Sequence, residues 1–103
     1  QDAIREAEVY VFETNGHIGG FIGLDGDYIA GVFVREDLRS CGIGSRLLEC
    51  AKKDRENLTL HVYESNDRAI RFYEREGFTV KREQMDEETG QKELEMSWRR
   101  RDS

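Results

Sequence analysis

Between residues 39 and 45 the chain reads Arg-Ser-Cys-Gly-Ile-Gly-Ser, a spacing suited to holding an anion at the start of a helix. The first turn of a helix carries N–H groups without intrahelical acceptors, and the helix dipole adds partial positive charge there. Gly42 and Gly44 remove side chains that would keep an anion at a distance, so the backbone here forms a phosphate cradle, with Arg39 and Arg46 as helpers. A P-loop is excluded, because no Gly-Lys-Ser/Thr closes the motif. A dinucleotide fingerprint is met at Gly42 and Gly44 and by Glu64 at the end of the next strand, but its third glycine position holds Leu47. On this motif alone, a glycine-rich helix start with no ligand is as good a reading.

A second group of residues lies further along, in Ser65-Asn66-Asp67-Arg68-Ala69-Ile70-Arg71-Phe72-Tyr73 and on to Gly77-Phe78. Tyr73 stands two helical turns after Asn66 and could give a proton to a leaving group. Asn66 offers donors and an acceptor to an amide-bearing ligand. Both also have plain structural readings, Asn66 as a helix cap and Tyr73 as a core side chain. His61 reads as strand packing. Cys41 sits near a helix start, where a thiol pKa falls, but no histidine is placed beside it, so it reads as incidental. Arg99-Arg100-Arg101 reads as a solvated basic tail.

These groups need a frame. Residues 1–7 have the look of the last turns of a helix. Val9 to Phe12 has strand composition, Asn15-Gly16 is a hairpin turn, His17 to Leu24 returns, Asp25-Gly26-Asp27 turns again, and Tyr28 to Val34 completes an antiparallel meander. Arg35 to Cys41 reads as a polar loop. A helix then runs from the glycines to near Asn57, with Ile43, Leu47, Cys50 and Ala51 on one face. Leu58 to Tyr63 is a strand, Ser65 or Asn66 caps a second helix, and Gly77 stops it. Phe78 to Asp86 and Lys92 to Arg99 form a last hairpin, in which Leu94, Met96 and Trp98 alternate onto one face. The expected order is (α)βββαβαββ, an α/β class with a mixed α+β sheet and a single domain over residues 1–103.

A chain of 103 residues with 37% charged and 37% hydrophobic residues can bury one core. Its net charge of −6, from 16 basic and 22 acidic residues, argues against a nucleic-acid partner and suits a cationic one. An anionic ligand then needs the local positive field of the glycine loop. No apolar run is long enough to span a bilayer, and no signal-peptide pattern is visible. Cys41 and Cys50 have neither disulfide nor metal spacing, and read as reduced thiols of a cytoplasmic protein without a metal.

Val32-Phe33-Val34 followed by Arg39-x-x-Gly42-x-Gly44 resembles the acetyl-CoA signature of the GNAT superfamily of N-acetyltransferases. Asn66-x-x-Ala69-x-x-Phe72-Tyr73-x-x-x-Gly77-Phe78 resembles its second motif. The pair, in this order, is far more specific than either alone. The resemblance implies a GNAT fold lacking its usual first strand and the two helices after it, and acetyl-CoA as cosubstrate. It implies that the loop around Arg39, Ser40, Cys41, Gly42, Ile43, Gly44 and Ser45 holds the CoA pyrophosphate. It further implies that the backbone of Phe33 and Val34 pairs with the pantetheine arm, that one of those amides polarises the thioester carbonyl, and that Asn66 contacts the same arm. Tyr73 is implied as general acid towards the CoA thiolate, and an amine acceptor attacks directly. For the base, Glu64 and Tyr28 are the candidates, beside a water relay. Monomer and homodimer are both compatible. Loss of the N-terminal elements leaves a non-catalytic CoA-binding module as the alternative.

Overall fold

The computed structural model describes residues 8–39 and 41–101. The expected helical segment at residues 1–7 and the loop residue Ser40 lie outside the described residues. The chain divides into two compact units that meet in sequence between Glu56 and Asn57.

The first unit opens with strands β1 (Glu8–Thr14), β2 (His17–Asp25) and β3 (Tyr28–Val34), paired antiparallel in sequence order. Asn15 and Gly16 take φ of 53° and 78°, the positive values a two-residue hairpin turn demands. Helix α1 (Ile43–Lys52) covers one face of this meander, burying Ile43, Leu47, Leu48 and Ala51 with Ile22, Leu24 and Ile29. The opposite face carries a cross-strand row of Val11, Phe21 and Phe33, all exposed, with the two phenylalanine rings stacked at 5.6 Å.

Gly20 fixes how closely α1 sits on the meander. A Cβ there would stand 2.7 Å from the Phe33 carbonyl oxygen, 3.3 Å from Ile43 Cγ2 and 3.4 Å from Leu47 Cδ1. The oxygen is backbone and cannot swing aside. Gly20→Ala is therefore expected to lower stability by roughly 1–3 kcal/mol, the usual cost of overpacking, as read from urea unfolding midpoints.

Two expectations are corrected in this unit. Helix α1 ends at Lys52 rather than near Asn57. The run Lys52-Lys53-Asp54-Arg55-Glu56 has no apolar side chain to bury. Arg55 instead folds back on the helix end, donating to the carbonyl oxygens of Ala51 and Gly26 at 3.0 Å each and pairing with Glu8 at 2.6 Å. Cys50 is exposed and Leu48 is in the core. The apolar stripe is centred between Leu47 and Ala51, which leaves Cys50 about 85° off its middle at 3.6 residues per turn. The polar segment after β3 also contains a 3₁₀ turn at Glu36–Leu38, beside which Arg35 forks onto Asp37 at 2.9 and 2.6 Å.

The second unit holds β4 (Asn57–Tyr63), β5 (Thr79–Met85) and β6 (Lys92–Arg99), with β6 between the other two and antiparallel to both. Leu58, Leu60, Val62, Leu94 and Met96 are buried by strict alternation. Between β4 and β5 runs α2 (Asp67–Arg75), and Phe78, directly after its stop at Gly77, is 1% exposed.

The turn of the β5–β6 hairpin is organised by Asp86. Its Oδ2 accepts from the Tyr63 hydroxyl at 2.7 Å and its Oδ1 from the Glu88 N–H at 3.0 Å. The Tyr63 hydrogen bond leads in holding the Asp86 carboxyl below its usual range. A depressed carboxyl stabilises the fold above its unfolded pKa, and that contribution is lost as pH falls through the folded value. Asp86→Asn is expected to lower the melting temperature at pH 7 and to show a smaller further loss than the native chain between pH 5 and pH 3.

Candidate active site

In the first unit, the end of β3, the 3₁₀ turn and the start of α1 together position the glycine loop. The Arg35 N–H donates to the Gly19 carbonyl at 2.8 Å. Alternation in an antiparallel pair then turns the N–H and C=O of Phe33 towards β2 and those of Val34 away from it. The Val34 amide is thus the one that points off the meander. Cys41 donates its N–H to the Leu38 carbonyl at 3.3 Å, which leads the chain out of the 3₁₀ turn.

Gly42 precedes α1 with φ 80° and ψ 9° and makes no side-chain cap. This is the left-handed region, which favours glycine. Open space surrounds the position its Cβ would take. The first bond of the helix runs from the Arg46 N–H to the Gly42 carbonyl at 3.1 Å, so the amides of Ile43 and Gly44 come before it. Gly42 and Cys41 are exposed, Gly44 and Ser45 half-buried, and Ile43 anchored in the core at 4% exposure. Arg39 and Arg46 are both exposed beside the loop. An anchored helix start, an open glycine and neighbouring cations fit a diphosphate.

In the second unit, Asn66 caps α2. Its Oδ1 accepts from the Ala69 N–H at 3.2 Å, and its carbonyl from the Ile70 N–H at 3.1 Å. Asn66 is itself exposed, so its side-chain NH₂ stays available to a ligand while the oxygen serves the helix. Tyr73 is half-buried, with its ring edge-on to Phe78 at 5.6 Å and beside Phe72 at 5.2 Å. Burial pushes the Tyr73 hydroxyl above the usual tyrosine value. It is therefore fully protonated at neutral pH, as a proton donor must be.

Glu64 is exposed just past the end of β4. Its N–H donates to the Lys92 carbonyl at 2.9 Å, and its carboxylate lies 3.8 Å from Lys92 Nζ. Lys92 is also 3.3 Å from Glu83, and these two carboxylates, Glu83 first, raise its pKa. Tyr28 lies in the first unit, at the start of β3. Thus Phe33, Val34, Arg39, Cys41, Gly42, Ile43, Gly44 and Ser45 gather at one end of the first unit, and Glu64, Asn66 and Tyr73 belong to the second. Arg55 and the Tyr63–Asp86 pair escape a reading of the sequence, because nothing in a charge run or at a strand end signals which partner is taken.

A family model for the acetyltransferase (GNAT) domain matches residues 5–80. The peptidyl-lysine N-acetyltransferase YiaC of Escherichia coli (strain K12) is 31% identical over 96 residues, which cover 92% of this chain and 66% of that protein. The peptidyl-lysine N-acetyltransferase YjaB of the same organism is 39% identical over 61 residues, 59% of this chain and 42% of that protein. The chain thus spans less than two thirds of the length of these relatives. Among solved structures, apo YjaB of E. coli superimposes with a TM-score of 0.79 at 29% identity, covering 87% of this chain and 63% of that one. A Bacillus anthracis acetyltransferase in complex with acetyl coenzyme A has a TM-score of 0.86 at 20% identity, covering 98% of this chain and 70% of that one, a likeness of fold.

Proposed function

The chain belongs to the GNAT acetyltransferase family and has its α/β fold, and on that premise we propose that it transfers an acetyl group from acetyl-CoA to the side-chain amine of a peptide lysine. The start of α1 carries this reading, with a left-handed Gly42 in open space and helix amides ahead of the first bond at Arg46. Acetyl-CoA supplies a diphosphate to grip and a thioester to attack. The family match at residues 5–80 runs through both units, and we take residues 1–103 as one domain.

Each residue has a separate part in this proposal. The amides of Gly42, Ile43, Gly44 and Ser45 hold the diphosphate, with Arg39 and Cys41 flanking them. The Val34 N–H, directed away from β2, donates to the thioester carbonyl, where negative charge grows during attack. Phe33 holds that strand end in register. The Asn66 NH₂ steadies the pantetheine arm. The amine nitrogen bonds to the carbonyl carbon as the carbon–sulfur bond breaks. Glu64, directly or through water, takes the proton the amine gives up, and Tyr73 gives one to the departing sulfur. Tyr28 is the alternative base.

The lysine acceptor is supported by what YiaC and YjaB are named for and by a net charge of −6, which attracts a cationic side chain. Among the described residues no helix is long and apolar enough to cross a membrane. We place the protein in the cytoplasm, as a monomer or homodimer, without a nucleic-acid or membrane partner. The second reading is a CoA-binding module without transfer.

Incubation with acetyl-CoA and a panel of lysine peptides, read by mass spectrometry, separates the two. Acetyl on the lysine Nε is the expected result. Cofactor binding without any acetylated peptide supports the module, and absence of binding removes both.

A further inference from the structure

We propose that the β4–β6–β5 sheet carries a second anion site, for a small phosphate-bearing ligand, on the face opposite Leu58 and Leu60. This inference does not depend on acetyl transfer and uses none of its residues. A cavity of about 270 Å³ lies there, lined by Asn57, Thr59, Lys81, Ser97 and Arg99, with Glu95 and Trp98 completing its wall. The size is near the lower end for small-molecule sites and matches a phosphate with a small organic body.

Register explains the lining. Thr59 pairs with Ser97 and Asn57 with Arg99 across β4 and β6, while Thr79 faces Ser97 from β5. Alternation puts Asn57, Thr59, Ser97 and Arg99 on the face that Leu58, Leu60 and Met96 avoid. Lys81 arrives by an irregularity. The β5–β6 register shifts between Val80 and Arg82 and leaves Lys81 without a partner opposite. Such bulges re-aim a side chain, and this one brings an ammonium to the cavity.

The chemistry of the lining is one-sided. Among the described residues, Lys81 and Arg99 have no carboxylate partner, and the side chains of Asn57, Thr59 and Ser97 have no hydrogen bond. The one carboxylate on the wall, Glu95, is already occupied, 3.2 Å from Arg82 Nε and 3.6 Å from His61 Nε2. Among the described residues, two cations without a carboxylate partner and three donors thus surround one cavity, in a chain with net charge −6. A tetrahedral oxyanion satisfies them together, through charge-assisted hydrogen bonds from Lys81 and Arg99 and neutral ones from Thr59, Ser97 and Asn57.

The test is an NMR titration of the 103-residue chain with inorganic phosphate, at an ionic strength held constant with chloride. Saturable shifts of the Thr59, Lys81, Ser97 and Arg99 amides are expected. Lys81→Gln and Arg99→Gln should each weaken that binding roughly tenfold, the effect of losing one charged hydrogen bond, with unchanged circular dichroism. Both side chains are exposed, so neither change should disturb folding. Shifts confined to Gly42–Gly44, equal shifts with chloride, or undiminished affinity in both variants would each overturn the site.

Discussion

Gly44→Glu is expected to abolish the rise in melting temperature that acetyl-CoA should give the native chain. Ligand at a hundred times its dissociation constant adds about 2.7 kcal/mol, and each kcal/mol moves the melting point of a domain this size by roughly 4–8 °C. The native shift is therefore roughly 10–20 °C. Gly44 lies in the first turn of α1, ahead of the Arg46–Gly42 bond. A carboxylate there puts negative charge and bulk where the diphosphate would lie. The same carboxylate suits the helix itself, since an acid in the first turn gains roughly 0.3–1 kcal/mol from the dipole. The variant should thus melt no lower than the native chain without ligand, which separates lost binding from lost folding. Cys50→Glu adds the same charge to the exposed part of α1 and should keep the shift. An unchanged shift in Gly44→Glu would mean that acetyl-CoA, if it binds, does not bind at this loop.

Tyr73→Phe is expected to leave cofactor affinity unchanged and to slow the proposed acetyl transfer by about a hundredfold. General acid catalysis contributes roughly 10²–10⁴. A thiol leaving group with a pKa of about 8.5 departs fairly well unaided, which puts the effect at the lower end. The ring packs edge-on to Phe78, and phenylalanine preserves that contact, so stability should hardly change. The pH profile gives a separate reading. Burial raises the Tyr73 pKa above its ordinary value, so an acid at this position stays protonated through neutral pH and is lost only as pH rises past about 10. The native rate should fall in that alkaline range, and the variant should show no such fall. Unimpaired turnover by Tyr73→Phe would remove it as the acid.

The turns, strands and caps are legible in the sequence wherever one residue type has one physical use. Asn15-Gly16 marks a turn because both residues accept positive φ. Leu58, Leu60 and Val62 alternate because one sheet face is buried. Gly42 and Asn66 stand where a helix start needs them. Features that depend on a distant partner are not legible in this way. The end of α1 is set by Arg55 reaching Gly26 and Glu8, and no local pattern reports that. Which of Phe33 and Val34 turns its amide towards β2 is a matter of register that the Arg35–Gly19 bond decides, and the parts proposed for the two follow from it. Asn66 serves as a cap without using up its side chain. Its cap bond to Ala69 uses the oxygen and leaves the nitrogen, so the structural role and a binding role are compatible.

The backbone N–H groups of Gly42, Ile43 and Gly44 report on cofactor binding in an amide NMR titration with CoA. Saturable shifts at these three, together with Val34, are the predicted result. Resonances there that stay still while the cofactor is added to excess would contradict diphosphate binding at the start of α1, and with it the proposed acetyl transfer.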